Sequence, residues 1–188
     1  METNCRFAFK EWAVVCRSLA EGRQSIILRK GGIREGREGF RVEHREFWLF
    51  PTQFHQRPEQ LVPEAEPLLR RLDADPPDAG IISISDFVVV EEVLEINAES
   101  LLERLTGLHI WSAETVAQRF HYRQPGLFLL LARVFHRPQP FRLADSTYFA
   151  GCRSWVELPD ELPTSDLRAV LDDIPFADCR QQIHRALT

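Results

Sequence analysis

The sequence lacks the features that mark membrane, exported and metal-ribbon proteins. No apolar run in its 188 residues reaches the roughly 18–20 residues that a membrane-spanning helix needs. The first residues lack the basic region and the apolar stretch of a signal peptide. The four cysteines, Cys5, Cys16, Cys152 and Cys179, contain no Cys-x-x-Cys pair, which argues against a zinc ribbon or a redox dithiol. We therefore expect a cytoplasmic protein with reduced, mostly buried thiols and no bound metal.

Lysine is scarce, because only Lys10 and Lys30 are lysines among the 23 basic residues. A lysine that persists in an arginine-rich sequence suits a position where a compact ammonium is needed and a planar guanidinium does not fit. Chance retention is the alternative explanation.

Charge is segregated along the chain, although the net charge is only −5. Residues 1–50 and 109–153 have an excess of basic residues, and residues 51–108 and 154–188 have an excess of acidic ones. If the two basic segments fold together they form a basic face, which is typical of a protein with a phosphate-bearing partner. The alternative is that the charges scatter over the folded surface.

Glycine, proline and the apolar pattern divide the chain into short elements. Residues 5–20 fit either a short helix leading into a strand or one continuous strand. Pro138 and Pro140 are expected to end the clearest core strand. The other predicted strands and helices are strands over 25–29, 40–50, 81–96, 126–137 and 149–158, and helices over 64–72, 98–105, 112–121, 166–173 and 176–187.

The predicted fold is α+β, because strands outnumber helices in the first two thirds and no βαβ alternation is present. We expect a mixed, mainly antiparallel sheet or a small barrel with peripheral helices. We also expect residues 1–158 to form one domain, with residues 159–188 as an acidic helical tail packed on it.

Four segments combine polar and aromatic residues more densely than packing requires. They are Phe9-Lys10-Glu11-Trp12, Leu28-Arg29-Lys30-Gly31-Gly32, the segment from His44 to Gln56, and Gly151-Cys152-Arg153-Ser154-Trp155.

These segments resemble, in the same order, the conserved blocks of the bacterial family catalogued as domain of unknown function 1802. The resemblance spans roughly residues 7–158 and leaves the acidic tail outside. It implies no established reaction and no cofactor. It does imply an occasional association with restriction-endonuclease-like domains, and hence a role linked to DNA or phage defence and a nuclease-type protein partner.

The Lys30-Gly31-Gly32 segment follows a predicted strand. Two glycines allow close backbone approach, and free N–H groups beside an ammonium suit a phosphate or a carboxylate. The segment is not a P-loop, because the Gly-x-x-x-x-Gly-Lys-Ser/Thr pattern is absent. The alternative is a hairpin turn with a solvated lysine.

His44, Glu46 and His55 could act as acid and base or ligate a metal, and are therefore the candidate catalytic residues. No His-x-x-x-His or His-Glu-x-x-His spacing supports a metal site, and His44 lies in phase with apolar neighbours, so a structural role is the alternative. Cys152 could be a nucleophile or simply a buried thiol. The Glu-x-Lys pattern of restriction nucleases is missing before Lys30, which argues against a cutting subunit.

The four tryptophans support a binding function. Trp12, Trp48, Trp111 and Trp155 provide four flat faces, and three of them have basic segments around them. Nucleotides are held by base stacking on aromatic rings together with phosphate contacts from arginine. The Ile-Leu-Arg-Lys segment ending at Lys30 is similar to one branch of the PUA-like domains that read nucleic acids. The alternative is that the tryptophans are core residues.

The leading hypothesis is a DNA- or RNA-associated binding or accessory domain, with no membrane partner and no cofactor. Its basic face would contain Lys10, Lys30, Arg119 and Arg133, and a pocket would be lined by Trp12, Trp48 and His55. The alternatives are a small enzyme acting on a nucleotide or phosphorylated substrate and a structural partner in a complex. The full set of predicted ligand-binding residues is Lys10, Glu11, Trp12, Lys30, Gly31, Gly32, Trp48, Thr52, His55, Gln56, Arg119, Arg133, Ser154 and Trp155.

Overall fold

The computed structural model describes residues 2–30, 42–53, 56–151 and 153–188. Strands and helices alternate irregularly along the chain, with short 3₁₀ turns between them. The strands are β1 (Asn4–Trp12), β2 (Ile26–Arg29), β3 (Glu46–Thr52), β4 (Ile81–Ile96), β5 (Leu127–Ala144), β6 (Trp155–Pro163) and β7 (Arg168–Ala169), and the helices are α1 (Ala13–Ala20), α2 (Glu66–Ala74), α3 (Ala113–His121) and α4 (Asp173–Leu187).

The strands form one sheet in the order β2-β5-β4-β3-β1-β6, with β7 paired to β5. Strands β1 and β3 run parallel, and the other neighbours are antiparallel. This confirms the predicted α+β class with a mixed, mainly antiparallel sheet. Among the described residues no pairing joins β2 to β6, so the sheet stays open at its ends.

The sheet is nevertheless strongly curved. Strands β2 and β1 are separated by three strands in the sheet order, yet the guanidinium of Arg29 at the end of β2 donates to the backbone oxygen of Lys10 on β1. The same guanidinium lies 4.2 Å from the ring centre of Phe9. Twist that accumulates across neighbouring strands brings the two sides of an open sheet together in this way.

Two hydrophobic clusters fill the space on either side of the sheet. The larger contains Leu19 of α1 and Phe176 of α4, packed on sheet residues such as Leu130. The smaller is built around Trp48, which is fully buried and donates its indole N–H to the backbone oxygen of Cys5 at 3.2 Å. No helix in the described part of the chain is both long enough and apolar enough to cross a membrane.

Both predictions for residues 5–20 were wrong, because a strand comes first and a helix follows it. The change occurs between Trp12 and Ala13 without a glycine, a proline or a side-chain cap. Helix α1 is mostly buried and β1 is buried or half-buried along nearly its whole length, so apolar residues lie on more than one side of each element and their periodicity does not separate strand from helix.

The prediction that Pro138 and Pro140 end the core strand was also wrong. Strand β5 continues to Ala144, paired with the beginning of β4. The register between β4 and β5 shifts here: His136 lies opposite Asp86, whereas Phe141, five residues further along β5, lies opposite Ile84, only two residues back along β4. Both prolines lie within this bulge, where a missing backbone N–H removes no regular ladder hydrogen bond.

Three further predictions needed correction in the second half of the chain. The strand expected over 149–158 begins at Trp155 and ends at Pro163. The helix expected over 166–173 is absent, because Asp166 has a positive φ of 65° and Arg168–Ala169 pairs with β5. Residues 98–105 form two 3₁₀ turns, Glu99–Leu101 and Glu103–Leu105, instead of an α-helix.

Candidate functional site

The carboxyl ends of β1 and β3 meet at one edge of the sheet because these two strands run parallel, and Trp12 lies opposite Thr52. The Thr52 hydroxyl donates to the backbone oxygen of Glu11 at 3.1 Å. Beyond β3, the Gln56 side-chain oxygen accepts from the backbone N–H of Val14 at 2.9 Å. Arg29 of β2 also reaches these strand ends, because it donates to the backbone oxygen of Lys10. Three of the four dense segments in the sequence therefore meet in one place.

Glu11 is the buried centre of this place. Its side chain is only 4% exposed, and one carboxylate oxygen lies 3.2 Å from a guanidinium nitrogen of Arg29. The other oxygen accepts from the backbone N–H of Trp12 at 2.8 Å. Burial lowers the pKa of Arg119, and the negative charge of Glu11 acts in the opposite direction. One buried carboxylate thus lies among two guanidinium groups, which leaves a net positive charge.

Aromatic rings cover the Arg119 side of the cluster. The ring centres of Trp12 and Trp111 lie 4.8 Å apart, and the Arg119 guanidinium lies 3.6 Å from the centre of the Trp111 ring. Trp111 is buried, whereas Trp12 is half-buried. The stack places the Arg119 guanidinium against an aromatic face, and cation–π contacts in partly desolvated positions are among the stronger ones.

Both lysines anchor neighbouring segments. The Lys30 ammonium donates to the backbone oxygens of Phe120 at 2.9 Å and Gly126 at 2.7 Å, and also to that of Gln124. Burial lowers the pKa of Lys30. The Lys10 ammonium donates to the backbone oxygen of Gly151 at 3.0 Å and to that of Phe149. Several carbonyls converging on one point suit an ammonium, as the scarcity of lysine suggested.

Each anchored segment presents an exposed tyrosine beside an arginine. Tyr122 and Tyr148 are each 53% exposed, and they and Ile174 are the exposed large hydrophobic residues in the described part of the chain. The Arg123 guanidinium lies 5.1 Å from the centre of the Tyr122 ring. Arg153 donates to the backbone oxygen of Tyr148 at 3.1 Å.

We call the surface formed by these groups the strand-end rim. It was missed as a set by the sequence reasoning, because the two tyrosines belong to loops that strand pairing and the lysine contacts together bring to β1 and β2. The rim comprises Lys10, Glu11, Trp12, Arg29, Lys30, Arg119, Tyr122, Arg123, Tyr148 and Arg153.

Other predicted binding residues lie elsewhere or have different roles. Trp48 is in the core cluster on the other side of the sheet from Trp12, so the two do not line one pocket. Arg133 pairs with Asp173 and lies 5.2 Å from the ring centre of Phe176, against α4 and away from the rim. Ser154 contributes its backbone oxygen, which accepts from the Lys10 backbone N–H at 2.8 Å.

Trp155 lies in an aromatic cluster with Phe9 and His44. Its ring centre is 4.8 Å from that of Phe9 and 5.2 Å from that of His44. His44 also stacks on Phe7, with ring centres 3.4 Å apart, and burial lowers its pKa. A neutral, stacked imidazole is suited to packing in this position.

The predicted catalytic set is not assembled by the described residues. The Glu46 carboxylate accepts from the backbone N–H of Glu2 at 2.7 Å, whereas His44 contacts aromatic rings. Within the described ranges no group of three or more His, Cys, Asp or Glu side chains is placed to hold a metal ion. Four residues that the sequence analysis singled out, Gly31, Gly32, His55 and Cys152, lie outside the described residues.

Solved structures with a similar course of the chain come from Zymomonas mobilis. An ASCH protein shares 13% identity over 97% of this chain and 95% of its own, with a TM-score of 0.45. The Y47F mutant of the same protein shares 14% identity over 81% of this chain and 88% of its own, with a TM-score of 0.44. Among curated proteins, no sequence matches this chain significantly.

The family model described as domain of unknown function DUF1802 matches residues 8–182. The match continues through β6, β7 and most of α4, beyond residue 158, where the resemblance read from the sequence ended. Because it spans most of the 188 residues, the chain belongs to the DUF1802 family.

Proposed function

We propose that the protein binds single-stranded nucleic acid at the strand-end rim. Tyr122 and Tyr148 would stack on bases, and Arg123 and Arg153 would contact phosphates. The observation that carries the proposal is that each exposed tyrosine stands beside an arginine on a segment held by a lysine, Tyr122 by Lys30 after β2 and Tyr148 by Lys10 of β1.

Stacking and charge together explain why this surface suits a single strand. Every base has a flat face, and stacking on an aromatic side chain contributes about 1–3 kcal/mol per base. Arginine adds phosphate contacts and cation–π interactions. In a folded duplex the bases are already stacked on each other, so exposed rings favour an unpaired strand.

The buried part of the rim supports this role. Arg29 joins β2 to β1, and Glu11 offsets part of the charge of the two guanidinium groups around it. Trp12, half-buried at the top of this cluster, adds a further aromatic face. Because Arg29 and Arg119 are held by packing, this part of the surface would lose little conformational entropy when a ligand arrives.

The two lysines contribute to binding indirectly in this proposal. Their ammonium groups contact backbone carbonyls, so replacing Lys30 would release the segment that carries Tyr122. Lys30→Ala would therefore affect the fold and the binding together. Substitutions of the exposed tyrosines separate the two effects.

The test is fluorescence anisotropy of the full chain with labelled single-stranded RNA and DNA at low salt. We expect the double substitution Tyr122→Ala/Tyr148→Ala to weaken binding at least tenfold, since two stacking contacts are lost. The matched control is Ile174→Ala, which removes an exposed apolar side chain from α4 and should leave the affinity unchanged. The proposal would be overturned if the protein bound neither the RNA nor the DNA, or if the double variant and the control had equal affinities.

A further inference from the structure

A polar cleft lies apart from the tyrosines of the rim, between α1, the loop after α2, and the paired outer parts of β4 and β5. Its volume is about 460 Å³. Small-molecule sites commonly have volumes of about 300–1,000 Å³ and combine apolar walls with a few converging polar groups. Leu49, Leu72, Ile82 and Pro140 supply apolar walls here.

The polar groups of the cleft are centred on Asp86 and His136. These two residues are partners in the register between β4 and β5, at the bulge that also contains the two prolines. Nδ1 of His136 lies 2.7 Å from one carboxylate oxygen of Asp86, and the Ser85 hydroxyl donates to the other at 2.9 Å. The Asp86 side chain is only 14% exposed, so its position is fixed by these contacts.

This arrangement orients the imidazole toward the cleft. Nδ1 is occupied by Asp86, and the opposite ring nitrogen, Nε2, is available to a ligand because the His136 side chain is 47% exposed. The hydrogen bond to Asp86 raises the pKa of His136, against the opposing effects of burial and of Arg17. The imidazole therefore carries its proton over a wider pH range than an ordinary histidine and can donate from Nε2.

Arg17 supplies a second cation on the same wall. It is exposed on α1, lines the cleft, and forms no ion pair with any other described residue. Arg142 is already paired with Asp78. The negative charge of Asp86 and the positive charge of protonated His136 offset each other. The positive charge of Arg17 therefore has no oppositely charged partner beside this pair.

The remaining titratable groups of the cleft do not supply that partner. Asp75 also lines the cleft but forms no ion pair within the described ranges, and it is not among the charges that affect His136. Burial raises the pKa of Cys16 well above its ordinary value, which keeps this thiol protonated and neutral.

We propose that this cleft is a second ligand site that takes a small organic anion, with the anionic group held between Arg17 and Nε2 of His136 and a compact apolar part on the surrounding walls. The site does not depend on nucleic-acid binding at the rim. A phosphate monoester and a carboxylate share the required chemistry.

The test is a titration of the full chain with phenyl phosphate, benzoate and phenol, followed by NMR signals of the His136 imidazole. The His136 signal is identified by its loss in His136→Gln, and the pH is held near the ordinary histidine pKa of about 6.5. We expect saturable shifts with at least one of the two anions and none with phenol. Arg17→Gln should weaken the binding at least tenfold.

The matched control is Arg23→Gln, because Arg23 is an exposed arginine just beyond the same helix, paired with Glu21 and absent from the cleft wall. It should bind like the unmodified protein. An otherwise unchanged spectrum shows that Arg17→Gln remains folded. The absence of saturable shifts at millimolar anion, equal shifts with phenol, or undiminished binding by Arg17→Gln would each overturn the proposal and leave the nucleic-acid proposal untouched.

Discussion

His109 is the residue whose ionisation opposes folding most clearly. It is 7% exposed, its Nδ1 accepts from the Trp111 backbone N–H at 3.2 Å, and its Nε2 is buried without a partner among the described residues. Burial lowers the pKa of His109 to about 4. Because Trp111 lies under Arg119, charging His109 would disturb the stack beside the rim.

The expected consequence is a loss of stability in mild acid. The folded pKa lies below the unfolded value of about 6.5, so protons favour the unfolded chain. The stabilisation that neutral His109 contributes to the fold is complete above pH 6.5. It declines as the pH falls toward 4, by about 3 kcal/mol in all. Urea unfolding at a series of pH values measures it. His109→Asn should reduce this acid-dependent loss, and an identical pH profile in the variant would contradict the assignment.

Individual residues were predictable from the sequence only where their chemistry is unusual. Lys10 and Lys30 stood out as the two lysines in an arginine-rich chain, and both bind several carbonyls. Tyr122 and Tyr148 carry no such signal, since a surface tyrosine in a loop resembles any other. The Asp86–His136 pair depends on strand register, which the sequence does not show directly.

At the level of elements, helix α3 provides a direct test of local sequence signals. The Ser112 hydroxyl accepts from the Thr115 backbone N–H at 3.2 Å, as expected for an N-cap. Ser112→Ala should therefore lower the free energy of unfolding by about 1 kcal/mol, measured by urea denaturation. Ser165→Ala is the matched control, because Ser165 precedes the helix that was predicted over 166–173 and no helix begins there. Equal losses in both variants would contradict the cap.

Elements with strong local signals were predicted well, and elements defined by distant pairing were not. The bounds of β4 matched the prediction, and α3 falls within the helix predicted over 112–121. The extension of β5 past Pro138 requires β4 as its partner, and β7 exists only because β5 lies beside it. Hydrogen bonds between segments far apart in sequence override local propensity in such places.

For the whole molecule, the curvature of the sheet is the feature that creates the rim. It brings Arg29 of the first basic segment to β1, while the pairing of β2 with β5 brings Lys30 to the end of α3 in the second basic segment. The two basic segments therefore meet at the rim, although Arg133 of the second segment lies against α4. The mixed sheet was predictable from strand content, whereas its curvature arises from twist across all its strands.

The most direct test of the rim as a nucleic-acid-binding surface is the salt dependence of binding to a labelled single strand. For single strands each phosphate contact makes the slope of log K against log salt more negative by about 0.7. We expect Arg123→Gln/Arg153→Gln to make the slope shallower by about 1.4. The control Arg70→Gln, an exposed arginine on α2, should keep the original slope. Binding that does not depend on salt, or a double variant with the same slope as the control, would contradict the rim as the binding surface.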